Sequence, residues 1–321
     1  MPTHKRRRKG GQRKLYRIRN WPEYNESLKT RGSLEIWLSP AAQQAWYAEP
    51  TGEPGSPGVY SDAAITCCLS IRKLFKLPLR QTQGFVRSIF TQTNVSLKSP
   101  DYTTLSRRGR FLLVKLPKDA KKKKVRISVD SSGIKVTGEG EWKVKKHGAE
   151  GRRGWKKIHV VIDADGEVRA TDVTDEDTAD ASVTKSLLSQ EAATIEWFGA
   201  DGAYDKRHVY TALAQRDVAQ VAIPPRRNAK IWRHGNRAGP KHARDENLRQ
   251  IRKKGRPHWE EESNYHQRSL VENTMFRFKT TFGEKVLARE DSRQRTELKL
   301  GFSMLNTMFQ LGMPDSYAVA V

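Results

Sequence analysis

The stretch Val125-Arg-Ile-Ser-Val-Asp-Ser-Ser-Gly133 decides the fold of the chain, because here the sequence pattern changes to that of a β-sheet. Its apolar residues alternate with polar ones up to Asp130, which is the period of a strand with one buried face. The lysine-rich run 117–124 comes directly before it and predicts a boundary near residue 118. We expect Asp130 to end the strand, since only small residues follow it.

The elements that follow this strand predict a mixed α/β fold. We predict strands near 157–162 and from Glu167 to Val173, a helix over 177–193, a strand over 194–200, a helix over 206–215 and a strand over 218–223. Asp163-Ala-Asp-Gly166 has the Asp-Gly signal of a hairpin turn. Three strands with short connections, then helix, strand, helix, strand and a closing helix, give a mixed sheet whose order resembles the ribonuclease H fold.

The closing helix is predicted over residues 265–279, which read Tyr-His-Gln-Arg-Ser-Leu-Val-Glu-Asn-Thr-Met-Phe-Arg-Phe-Lys. The segment lacks Gly and Pro and spaces its apolar residues along one face. At about 100° per residue, Arg268, Glu272 and Lys279 lie within roughly 40° of one another, and Tyr265 about 20° further on. A carboxylate between two cations suits a metal ion and a phosphate. For the helix alone, a solvent-exposed ion pair between residues four apart is the simpler interpretation.

Residues 1–19 are predicted to form a basic arm. They contain nine Lys or Arg, among them the candidate DNA contacts Arg6, Arg7 and Arg8, and no acidic residue. Such an arm becomes ordered on DNA phosphates or in a groove, and it is a solvated tail in the free protein.

Residues 20–118 are predicted to form a helical DNA-binding region. Its helices begin at Ser61 or Asp62, at Leu79 and at Tyr102, and the third ends in the candidate DNA contacts Arg107 and Arg108. Short helices that are separated by turns and end in basic residues resemble a helix-turn-helix. Ordinary packing of helices explains the same pattern about equally well.

A strongly basic segment, residues 226–256, interrupts the α/β pattern before the closing helix. It holds twelve Lys or Arg against two acidic residues, and its candidate DNA contacts are Arg226, Arg227, Lys230 and Trp232. Trp232 could stack on an unpaired base at a DNA end. The alternative that we favour is that Trp232 anchors this insertion to the domain. The α/β domain is therefore assigned to residues 119–225 and 257–321.

The overall charge predicts a nucleic-acid partner. The chain of 321 residues has 60 Lys or Arg against 36 Asp or Glu, a net charge of +24 and a pI near 10.1. A surplus of this size attracts polyanions, and the binding should weaken steeply as salt rises. Ribosomal proteins share this composition, so the charge indicates a class of partner and no activity.

The apolar residues and the cysteines indicate a protein of a reducing compartment. Cys67 and Cys68 are adjacent, which argues against a disulfide scaffold and against a zinc site. The sequence has no apolar run of about 18 residues and no signal-peptide pattern at its N-terminus, so we expect no membrane span and no secretion. The expected location is the cytoplasm.

Three carboxylates are candidates for one catalytic site. Asp130 and Asp201 each end a predicted strand, and open α/β sheets bind ligands at the carboxyl ends of their strands. Glu272 of the closing helix supplies the third carboxylate, whereas Asp205, four residues after Asp201, is predicted to cap the next helix. Three carboxylates at one point repel one another unless a dication compensates, which predicts Mg²⁺, with Mn²⁺ as a substitute. Such a site supports in-line displacement at phosphorus by an activated water or 3′-hydroxyl group.

The spacing Tyr265-x2-Arg268-x3-Glu272-x6-Lys279, after two aspartate motifs, resembles the Y-R-E-K signature of bacterial insertion-sequence DDE transposases. Residues 20–34 also resemble a segment shared by insertion-sequence family five. The resemblance implies a homodimer or higher homo-oligomer that acts on the terminal inverted repeats of double-stranded DNA. It implies that water attack frees 3′-OH ends, which then attack target DNA. It further implies that Tyr265, Arg268 and Lys279 hold the DNA end beside the scissile phosphate.

Two other classes of function stay open at this point. Charge and N-terminal helices alone would suit a non-catalytic DNA-binding regulator, although such a protein has no use for three convergent carboxylates. A ribonuclease H-like nuclease or resolvase would use the same carboxylates without strand transfer. The N-terminal helical region favours transposition over that second class.

Overall fold

The secondary structure is known from a computed structural model that describes residues 15–49, 59–136, 154–233 and 242–319. The strands are β1 Leu15–Ile18, β2 Lys124–Val136, β3 Trp155–Asp163, β4 Val168–Asp175, β5 Thr194–Gly199, β6 Gln220–Ala222, β7 Lys285–Val286 and β8 Ser316–Val319. The α-helices are α1 Trp21–Thr30, α2 Leu34–Trp37, α3 Pro40–Gln44, α4 Asp62–Phe75, α5 Leu79–Gln92, α6 Tyr102–Arg108, α7 Thr184–Ser189, α8 Arg207–Ala214, α9 Ala243–Lys254, α10 Arg256–Glu262, α11 Ser269–Phe282 and α12 Asp291–Gln310. Short 3-10 turns occupy Asp180–Val183, Gly202–Tyr204 and Tyr265–Arg268.

The central sheet has the mixed topology that the sequence predicts. Its strands lie in the order β4, β3, β2, β5 and β6, and β7 pairs with the end of β2. Strands β2, β3 and β4 are antiparallel neighbours, whereas β5 and β6 run parallel to β2. The connection from β3 to β4 is short, as the sequence predicts, whereas residues 137–154 between β2 and β3 are a longer stretch than the predicted short connection. Helices connect the later, parallel strands, which a short turn cannot join. The six-stranded sheet, with a helical region before it, confirms the ribonuclease H-like α/β fold.

Strand β2 is longer than predicted, and Asp130 does not lie at its end. The strand continues through Ser131, Ser132 and Gly133 to Val136, because these residues keep their pairing with β3 or β7. The prediction that small residues end the strand was wrong. Serine and glycine reduce the bulk of the side chains, but they keep the backbone N–H and C=O groups that pair across a sheet.

Helices cover both faces of the sheet. On one face, buried apolar side chains of β2 and β5 pack against α7 and α8. On the other face, a larger cluster joins Ile134 and Ile158 of the sheet to Phe302 of α12 and Ile65 of α4. The N-terminal helices therefore share a core with the sheet. Residues 117–121, where the boundary was predicted, are half-buried or exposed, and the boundary stays a prediction.

A buried ionic cluster fastens the N-terminal helices to α12. Arg72 and Lys73 of α4 reach the carboxylate of Glu297 at 3.3 and 3.0 Å. The same carboxylate accepts the backbone N–H groups of Leu287 and Ala288 at 3.0 and 2.9 Å. Helices α4, α5 and α6 also pack against one another. That these helices bind DNA stays a prediction.

The end of the predicted basic arm takes part in a second, two-stranded sheet. Strand β1 lies within the range 1–19 and pairs antiparallel with β8. The side chain of Asn20 secures this contact through the carbonyl of Met313 and the N–H of Asp315, at 3.0 and 2.7 Å. The three candidate DNA contacts of the arm, Arg6, Arg7 and Arg8, lie outside the described residues.

A glycine of α12 allows the close approach of α11, the helix that carries Glu272. A methyl group at Gly301 would lie 2.6 Å from Cε2 of Phe278, whose ring stacks on Phe302 at 4.3 Å. Gly301→Ala should therefore lower the free energy of unfolding by about 1–3 kcal/mol in urea denaturation, despite the better helix propensity of alanine. Gly84→Ala is the control, because a methyl group there has no neighbour within 4 Å among the described residues. Equal effects of the two substitutions would contradict the packing argument.

Candidate active site

The pairing of β2 with β5 brings two aspartates together. The strands are parallel, and Ser128 is opposite Gly199 at the last paired position. Asp130 and Asp201 each follow by two residues, so this register sets them side by side at the end of β5. Asp201 also caps the 3-10 turn that comes next, through the N–H of Ala203 at 2.9 Å. Its carboxylate is therefore held in one orientation.

The segment that carries the third carboxylate begins as a tight turn. Tyr265–Arg268 is a 3-10 turn, and the α-helix begins at Ser269 and ends at Phe282. The prediction of one α-helix from Tyr265 was wrong for these first four residues, because Asn264 takes the left-handed conformation at φ 56° and breaks the preceding helix. Of the apolar residues of the helix, Leu270 is half-buried and Phe276 is 69% exposed. The buried ones are Val271, Met275, Phe278 and Phe282.

Arg268 joins this turn to the sheet. Its guanidinium donates to Asp130 Oδ2 at 2.9 Å and to Glu272 Oε1 at 2.8 Å. The ion pair between residues four apart, which was the simpler interpretation of the sequence, is therefore present. The same guanidinium also binds a strand residue 138 positions earlier in the chain. Asp130 and Glu272 thus meet at one cation, with Asp201 next to Asp130.

The three carboxylates act on one another electrostatically. Burial raises the pKa of Asp130, and the negative charges of Asp201 and Glu272 raise it further. The N–H of Ser131 and the guanidinium of Arg268 oppose this rise in the pKa. The side chain of Glu272 is 59% exposed, against 23% for Asp130. Three negative charges beside one positive charge leave the site with an attraction for further cations.

The site has the composition of a divalent-metal site without its geometry. Within the described part of the chain, no three His, Cys, Asp or Glu side chains lie close enough together to hold an ion. Arg268 gives the physical reason, since its guanidinium takes up oxygens of two of the three carboxylates. Carboxylates are the hard oxygen ligands that Mg²⁺ and Mn²⁺ prefer. The residues therefore fit a divalent cation once Arg268 moves away.

Tyr265 and Lys279 flank Glu272 on the same segment. The ring of Tyr265 lies 5.4 Å from Trp259 and 5.8 Å from the guanidinium carbon of Arg268. Burial raises the pKa of the Tyr265 phenol, so the hydroxyl stays protonated and can donate a hydrogen bond. Lys279 is half-buried, about two helical turns after Glu272. Tyr265 and Arg268 are thus together, and Lys279 lies further along the helix.

Arg126 is a site residue that the sequence analysis missed. It lies on the same face of β2 as Asp130, because the side chains of a strand alternate. Its Nε donates to Gln267 at 3.3 Å, and its guanidinium carbon lies 5.2 Å from the ring of Trp197. Arg126 thereby holds the 3-10 turn of Arg268 against the sheet. The alternation along β2 could have revealed the shared face, whereas the contact with Gln267 needs the fold.

Trp232 is packed in the manner of an anchor, the interpretation that we favoured. Its ring lies 3.9 Å from the guanidinium carbon of Arg244 and 4.8 Å from that of Arg207. Arg244 is buried and forms an ion pair with Asp205 at 2.7 Å. Asp205 looked like the cap of the next helix, which was wrong, because Lys206 precedes α8 and the carboxylate of Asp205 turns to Arg244. Stacking of Trp232 on a base stays a prediction.

The other predicted DNA contacts differ in whether their side chains are exposed or are bound to other residues of the protein. The exposed ones are Arg107, Arg226, Arg227 and Lys230. Arg108 is engaged within the protein, where it donates to Asp62 at 2.6 Å and to the carbonyl of Tyr60 at 2.8 Å. Helix α9 forms much of the predicted basic insertion, and residues 234–241 lie outside the described part.

Two family models with the same description match this chain. A family model described as "Transposase DDE domain" matches residues 121–307, more than half of the chain, and this range includes all three candidate carboxylates. A second model with that description matches residues 29–139, which join the N-terminal helices to β2. None of the described helices is both long enough and apolar enough to span a membrane. Such domains indicate an enzyme of the polynucleotidyl-transferase or nuclease type that acts on DNA, and the family generally uses divalent metal ions. On the ribonuclease H-like fold and these two matches, the chain belongs to the family of transposases with a DDE domain.

Proposed function

We propose that this transposase binds the terminal inverted repeats of an insertion sequence, cuts the DNA by metal-dependent hydrolysis and joins the 3′-OH ends to target DNA. Its catalytic residues are Asp130, Asp201 and Glu272. The proposal is carried by one observation, the contact of the Arg268 guanidinium with both Asp130 and Glu272, beside Asp201. Carboxylates from strand β2, from the residue that caps the turn after β5 and from helix α11 come together there, which a surface ion pair between residues four apart does not by itself explain.

The proposed cofactor is Mg²⁺, with Mn²⁺ as a substitute, held by the three carboxylates. Bound there, the ion would polarise oxygens of the phosphate and strengthen the attacking water or hydroxyl as a nucleophile. Two of the ligands are oriented before any ion arrives. Asp130 accepts the N–H of Ser131 at 2.8 Å, and Asp201 accepts that of Ala203 at 2.9 Å. Ligands that are already fixed reduce the reorganisation that the reaction requires.

The proposed reaction consists of two in-line displacements at phosphorus. In the first, a water oxygen bonds to the phosphorus and the 3′-oxygen of the transposon end leaves as a hydroxyl. In the second, this 3′-hydroxyl bonds to a phosphorus of the target and a 3′-oxygen of the target leaves. Tyr265, Arg268 and Lys279 would hold the DNA end during both steps, which is the role of the Y-R-E-K signature. The resemblance of residues 20–34 supports insertion-sequence family five, and the resemblance to these transposases as a whole supports a homodimer or higher homo-oligomer.

In this scheme the Arg268 guanidinium binds either the carboxylates of Asp130 and Glu272 or a DNA phosphate. It has to leave Asp130 and Glu272 before a metal ion can use their oxygens. A DNA phosphate offers the guanidinium a bidentate acceptor of the same kind as a carboxylate. We therefore infer that, when the DNA end binds, the Arg268 guanidinium moves from the carboxylates to a DNA phosphate. The oxygens of Asp130 and Glu272 then become available to a metal ion.

The substitution Arg268→Ala tests this competition. Without DNA, the variant should bind Mn²⁺ about tenfold more tightly than the wild type, because a cation that repels the ion and occupies its ligands is gone. The electron paramagnetic resonance signal of free Mn²⁺ measures the affinity. Arg19→Ala is the control, since Arg19 pairs with the exposed Asp315 outside the site, at 3.6 Å. An unchanged affinity in Arg268→Ala would contradict the inference.

An end-joining assay tests the function as a whole. The protein is incubated with a labelled duplex that carries the ends of its own insertion sequence, with a target plasmid, and with Mg²⁺ or Mn²⁺. Covalent joining of the labelled end to the plasmid is the expected result. Cleavage without joined product would favour a ribonuclease H-like nuclease or resolvase. Binding without cleavage in either metal would favour a non-catalytic regulator and overturn the proposal.

A further inference from the structure

A cleft lined by arginines opens at the junction of the N-terminal helices and α12, away from the three carboxylates. It has a volume of about 680 Å³ and lies between α5, α6 and the first turn of α12. Its charged and aromatic lining consists of Arg80, Tyr102, Arg107, Arg110 and Arg293. These four arginines come from three separate segments of the sequence, and only Arg107 was singled out by sequence analysis.

The charges of the cleft are only partly compensated. Arg110 and Arg293 share one carboxylate, that of Glu290, at 2.6 and 3.1 Å. The guanidinium carbon of Arg80 lies 4.6 Å from the ring centroid of Tyr102, which fixes the plane of the guanidinium. Arg80 and Arg107 are both exposed. Among the described residues, the four arginines of the cleft therefore outweigh the one carboxylate that pairs with them, and three of them, Arg80, Arg107 and Arg110, are exposed.

The cleft lies at the end of the sheet toward which β2 runs from the active site. Lys135 and Val136, at the end of β2, pair with β7, and β7 leads directly into α12. The stretch of β2 from Asp130 to Val136 is about 20 Å long, at about 3.4 Å per residue. Successive phosphates of one DNA strand advance by about 3.4 Å along the duplex axis, so about six base pairs cover this length.

We propose that this cleft binds the phosphate backbone of duplex DNA, about six or more base pairs away from the phosphate that is cut. The inference rests on the proposed function, because it takes the duplex that enters the active site as the ligand. Exposed arginines suit this ligand, since a guanidinium binds a phosphate through two parallel hydrogen bonds. Contacts of this kind position DNA and read no sequence.

The double substitution Arg80→Ala/Arg107→Ala tests the cleft. Fluorescence anisotropy with a labelled random-sequence duplex, in EDTA, measures binding without cleavage. The dissociation constant should rise on the order of tenfold, and the slope of log affinity against log salt should become shallower by about 2, one unit for each lost phosphate contact. The control Lys121→Ala/Lys185→Ala also removes two exposed charges, at the opposite end of the sheet and on α7. It should change both quantities less.

The substitution Glu290→Gln should have the opposite effect. It removes the carboxylate that competes with DNA for Arg110 and Arg293, so the affinity for the same duplex should increase severalfold. Circular dichroism and urea denaturation check that the variant keeps the wild-type fold, so that a gain in binding reports on the cleft. If Glu290→Gln binds no better and the double arginine variant binds as the wild type does, the cleft is not a DNA site. If the wild-type protein itself fails to bind duplex DNA, the proposed function fails instead.

A crosslinking experiment tests the location. Thr103 is exposed and lines the cleft, so Thr103→Cys can carry a thiol-reactive photocrosslinker. The native thiols should not react, because burial raises the pKa of Cys67 to about 12 and raises that of Cys68 as well. Crosslinks should fall on the duplex at about six or more base pairs from the position that the wild type cuts. Crosslinks from Thr103→Cys at the cut itself would overturn the inference. So would the absence of crosslinks from Thr103→Cys under conditions in which Lys185→Cys does crosslink to the duplex.

Discussion

Replacing Glu272 with glutamine should reduce DNA cleavage on the order of 10³-fold and leave DNA binding nearly unchanged. Glutamine keeps the size of the side chain and can still accept a hydrogen bond from Arg268. It lacks the negative charge that, together with Asp130 and Asp201, would hold a divalent cation. The rate of strand cleavage on a labelled duplex measures the first effect, and anisotropy in EDTA measures the second.

Glu261→Gln is a matched control for this experiment. Glu261 is an exposed carboxylate of α10, only a few residues before the Tyr265–Arg268 turn, and it is outside the site. Its substitution should leave cleavage at the rate of the wild type. Cleavage by Glu272→Gln at that same rate would show that Glu272 is the surface ion-pair partner of Arg268 and nothing more.

Replacing Glu297 with alanine should lower the free energy of unfolding by about 3–5 kcal/mol. Lys73, whose side chain is only 3% exposed, would then keep a buried positive charge without its carboxylate partner. The N–H groups of Leu287 and Ala288 would also lose their acceptor. Urea denaturation measures the loss. Glu284→Ala, at an exposed position just after α11, is the control and should be nearly neutral.

The same cluster predicts a dependence of stability on pH. The positive charges of Lys73 and Arg72 and the bound N–H groups outweigh burial, so the pKa of Glu297 is below its usual 4.5 in the folded protein. A lowered pKa of a carboxyl group means that its stabilisation is complete above 4.5 and is lost as the pH falls toward the folded-state pKa. The difference in unfolding free energy between the wild type and Glu297→Ala should therefore shrink below about pH 4.5. A difference that stays constant from pH 7 to below pH 4 would contradict this account.

The sequence predicted the parts of the fold that depend on local pattern. The alternation in β2 and the Asp-Gly hairpin lie in consecutive residues, and with the helices between the later strands they suffice for a mixed sheet. The end of β2 was misjudged, because nothing local shows that Ser131 to Gly133 still pair with a neighbouring strand. Asp130 is consequently a residue within a strand, and it lies beside Asp201 because β5 ends there.

Contacts between distant residues explain the remaining differences in the site. The pair of Arg268 and Glu272 could be read from a spacing of four, but the second bond of Arg268, to Asp130, depends on the fold. Asp205 looked like a helix cap because only its local neighbours were visible, and its true partner is Arg244 of the basic segment. The arginine cleft was invisible for the same reason, since its lining comes from α5, α6 and α12 and the residues between them.

The central claim is that Asp130, Asp201 and Glu272 form one metal site that opens when Arg268 moves to DNA. Anomalous X-ray scattering from crystals of the protein with Mn²⁺ and a duplex that carries its cut end tests this claim most directly. The account predicts a manganese peak bound by the carboxylates of Asp130, Asp201 and Glu272, with Arg268 turned to a DNA phosphate. A DNA-bound structure in Mn²⁺ that keeps Arg268 on Asp130 and Glu272, with no manganese between the carboxylates, would contradict it.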